Sequence, residues 1–270
     1  MSPQESLTVV SVIVPVKSVD KFTQSAINSI VDQSEKSIEI ILVCDTLEIG
    51  QLKKIIDSGN LNRNNNLKII SPTIKGISAA LNAGINASVG RYIARMDSDD
   101  ISEKDRIEVQ RKVLDDNKSI FVLSSNASVI DEAGEIVRQN LLSTKVGLSP
   151  IGIRLLFGNF IVHPTVMMRR ECVETIGGYS PVASEDYDLW IRIFDRFSGS
   201  LYIINRPLIK YRIHDQQLSY INYLQSNIAM VASLFRSILV CPRLIKVILL
   251  ALLVIKILLI KIKIKIWKTQ

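Results

Sequence analysis

Short apolar runs alternate with amphipathic stretches through the first hundred residues of the chain. The apolar runs lie at residues 9–16, 38–44, 67–70 and 91–96. They are rich in β-branched residues and lack a strict two-residue alternation, which is typical of strands buried on both faces of a parallel sheet. Residues 21–34, 49–58 and 76–89, which separate them, place apolar side chains at helical spacing. This order predicts a doubly wound, mostly parallel α/β sheet of the Rossmann-like type.

The pattern continues less regularly from residue 105 to residue 196. We expect a helix after residue 105, a strand at 120–124, a turn at 132–134, a strand at 160–169, a helix at 171–176, a glycine turn at 177–178 and a helix at 185–196. The last of these helices carries acidic residues in its first turn, where they complement the positive end of the helix dipole.

The formal net charge of +7 is unevenly distributed along the 270 residues. Residues after Asp215 contain eight Lys or Arg and no Asp or Glu, which leaves 25 basic against 26 acidic side chains in residues 1–215. The predicted globular part is therefore almost neutral, which argues against a nucleic-acid-binding protein. The basic C-terminal part favours an anionic membrane surface as its partner.

The three cysteines, Cys44, Cys172 and Cys241, are far apart in the sequence. Their spacing fits neither a zinc site nor a disulfide framework, so we expect reduced thiols. The N-terminal residues MSPQESLTVV are polar where a signal peptide needs an apolar segment. These features predict a cytoplasmic protein.

Carboxylates follow two of the predicted strands. Asp45 comes after the second strand, and the sequence Asp97-Ser98-Asp99-Asp100 comes after the fourth. Ligands of open α/β sheets bind beyond the carboxyl ends of the strands. A hard divalent cation prefers oxygen ligands, and carboxylates two residues apart at a strand end can be directed at one ion. Helix caps and turns explain single aspartates of this kind, but they explain poorly why so many carboxylates follow the predicted strands.

Residues 76–100, GISAALNAGINASVGRYIARMDSDD, resemble the donor-binding half of family 2 glycosyltransferases. The positions that match the usual pattern of the family are Gly76, Ala80, Asn82, Gly84, Ala87, Gly90, Tyr92, Ile93, Asp97, Asp99 and Asp100. The resemblance extends to VSVIVPVK upstream and to HPTVMMRRECVETIGGY, SEDYDLWIRI and IKYRIHDQQLS downstream, and it covers about residues 8–219. Several separate motifs in the right order make this resemblance specific.

The resemblance implies a GT-A fold in residues 1–219 and an inverting transfer from a nucleotide diphosphate sugar, with UDP sugars favoured. Pro15, at the end of the first strand, and Asp45 would belong to the donor site, with Asp45 at the base or ribose. Asp97 would contact the ribose or phosphates, and Asp99 would hold Mn²⁺ or Mg²⁺. The acceptor would be a saccharide or a lipid-linked hydroxyl compound, in the assembly of a cell-surface polysaccharide.

Asp186, in Ser184-Glu185-Asp186, matches the catalytic base of the family. A base is chemically required, because an acceptor hydroxyl must lose its proton as it attacks the anomeric carbon. Glu185 is expected to orient the acceptor or to raise the pKa of Asp186 by like-charge repulsion. The alternative is that both carboxylates only cap the helix at 185–196.

The chain departs from the family pattern at two places. Leu81 stands where the family usually has Arg or Lys, and Lys75 is expected to supply that donor contact instead. After the second strand, Cys44-Asp45-Thr46-Leu47-Glu48 replaces the usual Asp-Asp-Gly-Ser. Recognition of the donor base is therefore expected to differ.

Two histidines and two other side chains complete the candidate site. His214 would reach the metal or the diphosphate, and Arg212 would give a charge-assisted hydrogen bond to phosphate. A packed or surface histidine is the alternative for His214. His163, at the end of an apolar run, would line the acceptor pocket. Trp190 is a candidate for stacking on an acceptor sugar, although core packing also explains it.

Residues 220–270 form a separate basic and apolar tail in this interpretation. The longest charge-free run within residues 243–268 is nine residues, 247–255, which is too short to span a bilayer. We expect an interfacial helix with lysines at the headgroups and Trp267 at the boundary. A packed C-terminal helix and, at KIKIKI, an edge strand are the alternatives. The protein is thus expected at the inner face of the cell membrane.

Other functions fit parts of the sequence. A binding or scaffold protein that keeps the fold without catalysis is disfavoured by the presence of Asp97, Asp99 and Asp186. A nucleotidyltransferase would need a glycine-rich basic loop after the first strand, and residues 15–20 contain no glycine. A dinucleotide-binding oxidoreductase is excluded, because G-x-G-x-x-G follows none of the predicted strands.

Overall fold

The computed structural model describes residues 8–61, 66–142, 147–214 and 223–240, together with positions 251 and 254. Its strands are β1 (Val10–Val16), β2 (Ile38–Cys44), β3 (Leu67–Ile70), β4 (Tyr92–Arg95), β5 (Ile101–Ser102), β6 (Val122–Ile130), β7 (Ile136–Arg138), β8 (Leu148–Pro150), β9 (Met167–Arg169) and β10 (Leu201–Arg212). Its α-helices are α1 (Thr23–Val31), α2 (Ile49–Ser58), α3 (Ile77–Ala87), α4 (Arg106–Asp116), α5 (Arg170–Ile176), α6 (Glu185–Arg196) and α7 (Tyr223–Val240). Short 3-10 turns lie at Thr46–Glu48, Gly152–Phe157 and His163–Thr165.

The first half of the sheet is parallel, as the apolar runs predict. Its strand order is β3-β2-β1-β4, and all three pairings in it are parallel. Val10 is in register with both Ile38 and Tyr92, so that β1, β2 and β4 begin at one edge and end at the other. The segments that follow these strands therefore meet at the same edge.

The second half of the sheet is mixed. β9 is antiparallel to both β4 and β6, whereas β10 runs parallel to β6. The predicted strand at 160–169 is wrong over most of its length, because a 3-10 turn at His163–Thr165 leaves only β9. Pro164 lies in that turn, and proline can neither donate to a sheet ladder nor adopt an ordinary strand φ.

The two faces of the sheet bury two separate apolar clusters. Val12 and Val14 of β1 point into the cluster that α1, α2 and α4 cover. Ile13 points into the other cluster, which contains residues of α3, α5, α6 and α7. Successive side chains of a strand face opposite sides, so an apolar run without alternation is what a strand covered on both faces requires. The predicted doubly wound arrangement is confirmed.

A hydrogen-bonded clasp connects α3 to the segment that leads into α6. The side-chain amide of Asn82 accepts from the backbone N–H of Tyr179 and donates to its carbonyl, both at 2.8 Å. Gly178, at φ +73°, lies directly against this amide, and a Cβ there would come within 2.5 Å of Asn82 Oδ1. Gly178 is therefore required by this close approach to Asn82.

Helix α7 packs against α6. Leu234 is fully buried, and Arg236 forms an ion pair with Asp188 at 2.9 Å. The predicted boundary between residues 219 and 220 stays a prediction, although residues 223–240 make contacts with the sheet domain. The interfacial helix at 243–268 lies outside the described residues apart from positions 251 and 254. In the described part of the chain, none of the helices has the length and apolarity needed to cross a membrane.

Candidate active site

The edge where β1, β2 and β4 end carries the predicted carboxylates. Asp45 follows β2 directly, and Asp97 follows two residues after β4. Asp100 precedes β5, which pairs with β10 on the far side of the sheet. The parallel register brings the first two segments together, and the β5–β10 pairing brings residues 209–214 to the same place. This is the crevice in which open α/β sheets bind ligands.

Arg95 is the central cation of this edge, and sequence reasoning missed it. Its guanidinium donates two hydrogen bonds to the carboxylate of Asp97, at 2.8 and 2.5 Å. Only 7% of the Arg95 side chain is exposed. Burial raises the pKa of Asp97, and Arg95 opposes this effect. A charged residue at the end of an apolar strand is the only signal in the sequence that could have identified it.

Three carboxylates lie close together beside Arg95. Single oxygen atoms of Asp97, Asp99 and Asp100 are all within 4.8 Å of one another. Asp100 is fully buried; its Oδ1 accepts from the backbone N–H of Arg212 at 2.9 Å, and its Oδ2 is buried without a hydrogen-bond partner in the described part of the chain. Burial, reinforced by Asp97 and Asp99, raises the pKa of Asp100 well above its ordinary value. Such a cluster needs added positive charge to remain ionised.

His214 joins this cluster from the other end of the chain. Its Nε2 lies 3.0 Å from Asp99 Oδ2, and the two side chains are 11% and 23% exposed. The ring of Phe22 packs 5.5 Å from the imidazole, measured between ring centroids. The structure therefore places His214 beside Asp99, and its contact with a metal or diphosphate stays a prediction. Both retain surface through which a ligand could be bound.

Arg212 forms hydrogen bonds with the loop that contains Asp99. Its Nε donates to the carbonyl of Asp99 at 2.9 Å, and its Nη1 donates to the carbonyls of Asp131 and Glu132 at 2.8 and 3.2 Å. The guanidinium also lies 4.4 Å from the centroid of the Phe22 ring. These contacts join the 97–100 loop to the turn after β6. A contact between Arg212 and a donor phosphate stays a prediction.

Asp45 and Lys75 form an ion pair just beyond the end of β2. Lys75 Nζ lies 3.1 Å from Asp45 Oδ2, and Asp45 Oδ1 accepts from the backbone N–H of Leu47 at 3.1 Å. The Leu47 hydrogen bond and the Lys75 charge lower the pKa of Asp45, which stays ionised. Leu81 is buried in the core. Lys75 is thus the cation placed beside Asp45, and its contact with the donor stays a prediction.

Helix α6 brings a second pair of carboxylates to the site. Asp186 Oδ1 accepts from the backbone N–H of Tyr187 and Oδ2 accepts from the side-chain amide of Asn159, both at 2.7 Å. Burial raises the pKa of Asp186. The charge of Asp186 in turn raises the pKa of Asp97, so the two carboxylates belong to one electrostatic site. The N-cap of α6 is Ser184, although Asp186 does satisfy one N–H of the first turn.

The like-charge repulsion between Glu185 and Asp186 acts mainly on Glu185. Burial and the neighbouring Asp186 raise the pKa of Glu185 to about 7. The raised pKa of Asp186 comes from burial instead. The like-charge repulsion that the sequence predicts for Asp186 therefore raises the pKa of Glu185 instead.

His163 and Trp190 lie in the interior. Trp190 is fully buried, so neither face of its indole is open to a sugar, and the stacking prediction is wrong because this face of α6 points into the core. His163 is 9% exposed, and its Nε2 lies 2.8 Å from the hydroxyl of Tyr179. The Trp190 ring meets the imidazole edge-on at 5.8 Å. Burial lowers the pKa of His163 well below its ordinary value, so the ring is neutral.

Replacing Arg95 with methionine should reduce the free energy of unfolding by about 3 kcal/mol. This is the lower end of the range for breaking a buried ion pair, because Asp97 keeps some contact with solvent. Urea unfolding at pH 7 would measure the change. The same replacement in an Asp97→Asn background should cost clearly less, since no carboxylate is then left without its counter-ion. Equal losses in the two backgrounds would mean that Arg95 stabilises the fold through packing alone.

Comparison with known proteins relates the chain to sugar-transferring enzymes. A sequence profile described as Glycosyl transferase family 2 matches residues 11–177. The O-antigen biosynthesis glycosyltransferase WbnJ of Escherichia coli is 32% identical over 216 residues, which cover 78% of this chain and 82% of that protein. The putative glycosyltransferase EpsE of Bacillus subtilis is 32% identical over 209 residues, which cover 75% of this chain and 72% of that protein.

Solved structures with a similar fold come from more distant proteins. S. aureus TarS 1-349 in complex with UDP-GlcNAc superposes with a TM-score of 0.67 at 15% identity, over 84% of this chain and 66% of that chain. The mannosyltransferase PcManGT from Pyrobaculum calidifontis, in complex with GDP-Man and Mn²⁺, gives 0.61 at 14% identity, over 85% and 64% of the two chains. At these identities the likeness establishes the fold alone.

Proposed function

The chain belongs to glycosyl transferase family 2 and is a glycosyltransferase, and we propose that it catalyses an inverting, metal-dependent transfer of a sugar from a nucleotide diphosphate to an acceptor hydroxyl. One observation carries this proposal. The Asp97, Asp99 and Asp100 cluster with His214 lies in one electrostatic site with Asp186, which arrives on a separate helix. The placement of the carboxylate cluster and of Asp186 on separate elements suits a reaction in which a leaving diphosphate and an attacking hydroxyl occupy opposite sides of the anomeric carbon.

The residues present fit a divalent cation. Asp99 and His214 are adjacent and partly exposed, whereas both oxygens of Asp97 are paired with Arg95. The buried Oδ2 of Asp100, which has no hydrogen-bond partner among the described residues, adds a further demand for positive charge. We assign Asp99 and His214 as the ligands of Mn²⁺ or Mg²⁺, with Asp97 directed at the ribose or phosphates. A bound ion would offset the charge that develops on the departing diphosphate.

The donor nucleotide would lie across the ends of β1 and β2. Pro15 is the buried residue before the end of β1, and the Asp45–Lys75 ion pair lies beyond it. We assign Asp45 to the base or ribose and Lys75 to a phosphate or to the ribose. UDP sugars are the favoured donors; solved structures of the same fold hold UDP-GlcNAc in one case and GDP-Man in another.

Asp186 would act as the base towards the acceptor hydroxyl. Its Oδ2 is reached by only one side-chain donor, Asn159, in the described part of the chain, which leaves a lone pair for a proton. Glu185, whose pKa burial and the neighbouring Asp186 raise to about 7, would orient the acceptor. His163 is buried against the hydroxyl of Tyr179, and we assign it to the packing behind the acceptor pocket rather than to its lining.

The proposal is tested with a panel of donors. The protein is incubated with UDP-glucose, UDP-N-acetylglucosamine and GDP-mannose, each with and without Mn²⁺, and the melting temperature and nucleoside diphosphate release are measured. We expect one donor to stabilise the protein and to be hydrolysed slowly, in both cases only with Mn²⁺. A scaffold protein with the same fold would be stabilised without releasing product. Absence of both effects with every donor would contradict the proposed transfer.

We propose that the acceptor is a saccharide or lipid-linked hydroxyl compound in the assembly of a cell-surface polysaccharide, and that the protein works at the inner face of the cell membrane. The relative WbnJ is named for O-antigen biosynthesis, which supports this context. The membrane partner follows from the sequence after Val240, which contains seven Lys or Arg and no acidic residue. The anionic surface of a bilayer would attract these side chains.

Full-length protein should bind anionic vesicles at low salt, and a variant that ends at Val240 should bind at least about tenfold less, since each basic residue near the surface contributes about 1 kcal/mol. The truncation keeps α7, whose Leu234 and Arg236 contact the rest of the domain. Co-sedimentation with phosphatidylglycerol vesicles measures binding, with neutral vesicles and high salt as controls. If the full-length protein stays in the supernatant at low salt, the tail has another role.

A further inference from the structure

We propose that Asn159 is the positioning residue of the catalytic carboxylate, because it holds Asp186 in the orientation in which it can accept a proton. This inference rests on the proposed role of Asp186 as the base. Asn159 lies in the loop between the 3-10 turns Gly152–Phe157 and His163–Thr165. It is remote from Asp186 in sequence, and neither the family motifs nor the apolar pattern singles it out.

The geometry of the Asn159 amide defines its role. Nδ2 donates to Asp186 Oδ2 at 2.7 Å, while Oδ1 accepts from the backbone N–H of Ile161 at 3.2 Å. The second bond decides which end of the amide faces the carboxylate, because only the nitrogen can donate to it. The loop itself therefore sets the direction of the donor. An amide free to flip would not hold the carboxylate in a single orientation.

Asp186 needs this second anchor. Its Oδ1 is held by the N–H of Tyr187, the next residue in its own helix. The terminal torsion of an aspartate side chain is broad, so one local hydrogen bond restricts its rotation only weakly. Asn159 supplies a bond from another element of the structure. Two donors from independent elements then define the plane of the carboxylate and the direction of its free lone pair.

The chemistry of an amide suits a base better than a cation would. A neutral N–H donor stabilises the ionised carboxylate without the strong attraction of a cation, which would weaken the carboxylate as a proton acceptor. Arg95 already supplies the positive charge near Asp186, whereas Glu185 and Asp97 supply negative charge. Asn159 is a neutral group in contact with Asp186, and it is exposed.

The experiment compares Asn159→Ala with a control in the same segment. Nucleoside diphosphate release is measured with Mn²⁺ and UDP-glucose, UDP-N-acetylglucosamine or GDP-mannose. A misplaced catalytic group costs on the order of 10² in rate, so kcat should fall roughly 10- to 100-fold while the donor KM stays within about twofold. Asn159→Asp, which places a like charge beside Asp186, should fall further. Arg154→Ala, whose side chain contacts Phe160 instead, should keep wild-type kcat.

Two further measurements decide whether Asn159 acts through Asp186. In an Asp186→Asn background, Asn159→Ala should cause no additional loss, because the base is already absent. Crystal structures of the wild type and of Asn159→Ala should differ in the orientation of the Asp186 carboxylate. A kcat within threefold of wild type, an equal loss in both backgrounds or an unchanged carboxylate would overturn the proposal. A wild type without turnover would count against the proposed function instead, and the two crystal structures would still decide the role of Asn159.

Discussion

Replacing Asp186 with asparagine should lower turnover by roughly 10²–10⁴-fold, the usual consequence of losing a general base. Asparagine keeps the size of the side chain, but its single acceptor oxygen can accept from Tyr187 or from Asn159 and not from both, and it cannot take a proton. Donor binding and its dependence on Mn²⁺ should survive, because the proposed ligands Asp99 and His214 are unchanged. The helix-capping explanation predicts nearly normal turnover, since asparagine caps helices about as well as aspartate.

The pH profile gives an independent check of the Asp186 assignment. A carboxylate base works only when ionised, and burial raises the pKa of Asp186. Wild-type kcat should therefore fall as the pH drops through that raised pKa, and the residual activity of Asp186→Asn should lack this acidic limb. Glu185→Gln is the matched control, because it removes the neighbouring carboxyl group and should retain the limb. A loss under about threefold in Asp186→Asn would contradict its role as the base.

Replacing Asp99 with alanine should abolish transfer and Mn²⁺-dependent donor binding while leaving the protein folded. Asp99 is partly exposed, and its side chain contacts His214 rather than the core, so its removal should cost little stability. His214 alone would then face the ion. We expect a reduction in turnover of about 10³-fold or more, because the metal would stabilise charge that develops only as the diphosphate leaves.

Calorimetric titration with Mn²⁺ and UDP sugars would measure the loss of binding directly. Asp105→Ala is the matched control, since Asp105 forms an ion pair with Arg206 away from the carboxylate cluster. His214→Ala should weaken Mn²⁺ binding in the same direction as Asp99→Ala. Undiminished transfer by the wild type in the presence of EDTA would show that the reaction needs no metal, and the assignment of both ligands would then fail.

β10, the last strand in the described part of the chain, completes the site. β10 pairs with β6 and β5. Arg212 at its end and His214 two residues later contact a loop more than a hundred residues earlier in the chain. The domain therefore surrounds the carboxylate cluster with elements from both halves. Disturbing the β5–β10 pairing should affect metal binding as well as stability.

The elements with a strong local pattern were predictable at the level of single residues. β2, α2, β3 and α6 begin and end where the sequence predicts them, because their apolar periods are clear and their flanking residues are polar. β10 was not predicted at all. Its apolar residues are interrupted by Asn205, Arg206 and Pro207, and the pairing with β6 shifts register around Pro207. Only the neighbouring strands hold these residues in an extended conformation.

The sequence by itself determined the class of fold, the family and the carboxylates at the strand ends, because these depend on residue types at short spacings. The tertiary structure alone decided which side chains are partners. Arg95 became the counter-ion of Asp97, Asn159 became the donor to Asp186, and Trp190 was buried in the core. The physical reason is that exposure, hydrogen bonding and pKa depend on groups brought together from distant parts of the chain, and residue spacing contains no information about those contacts.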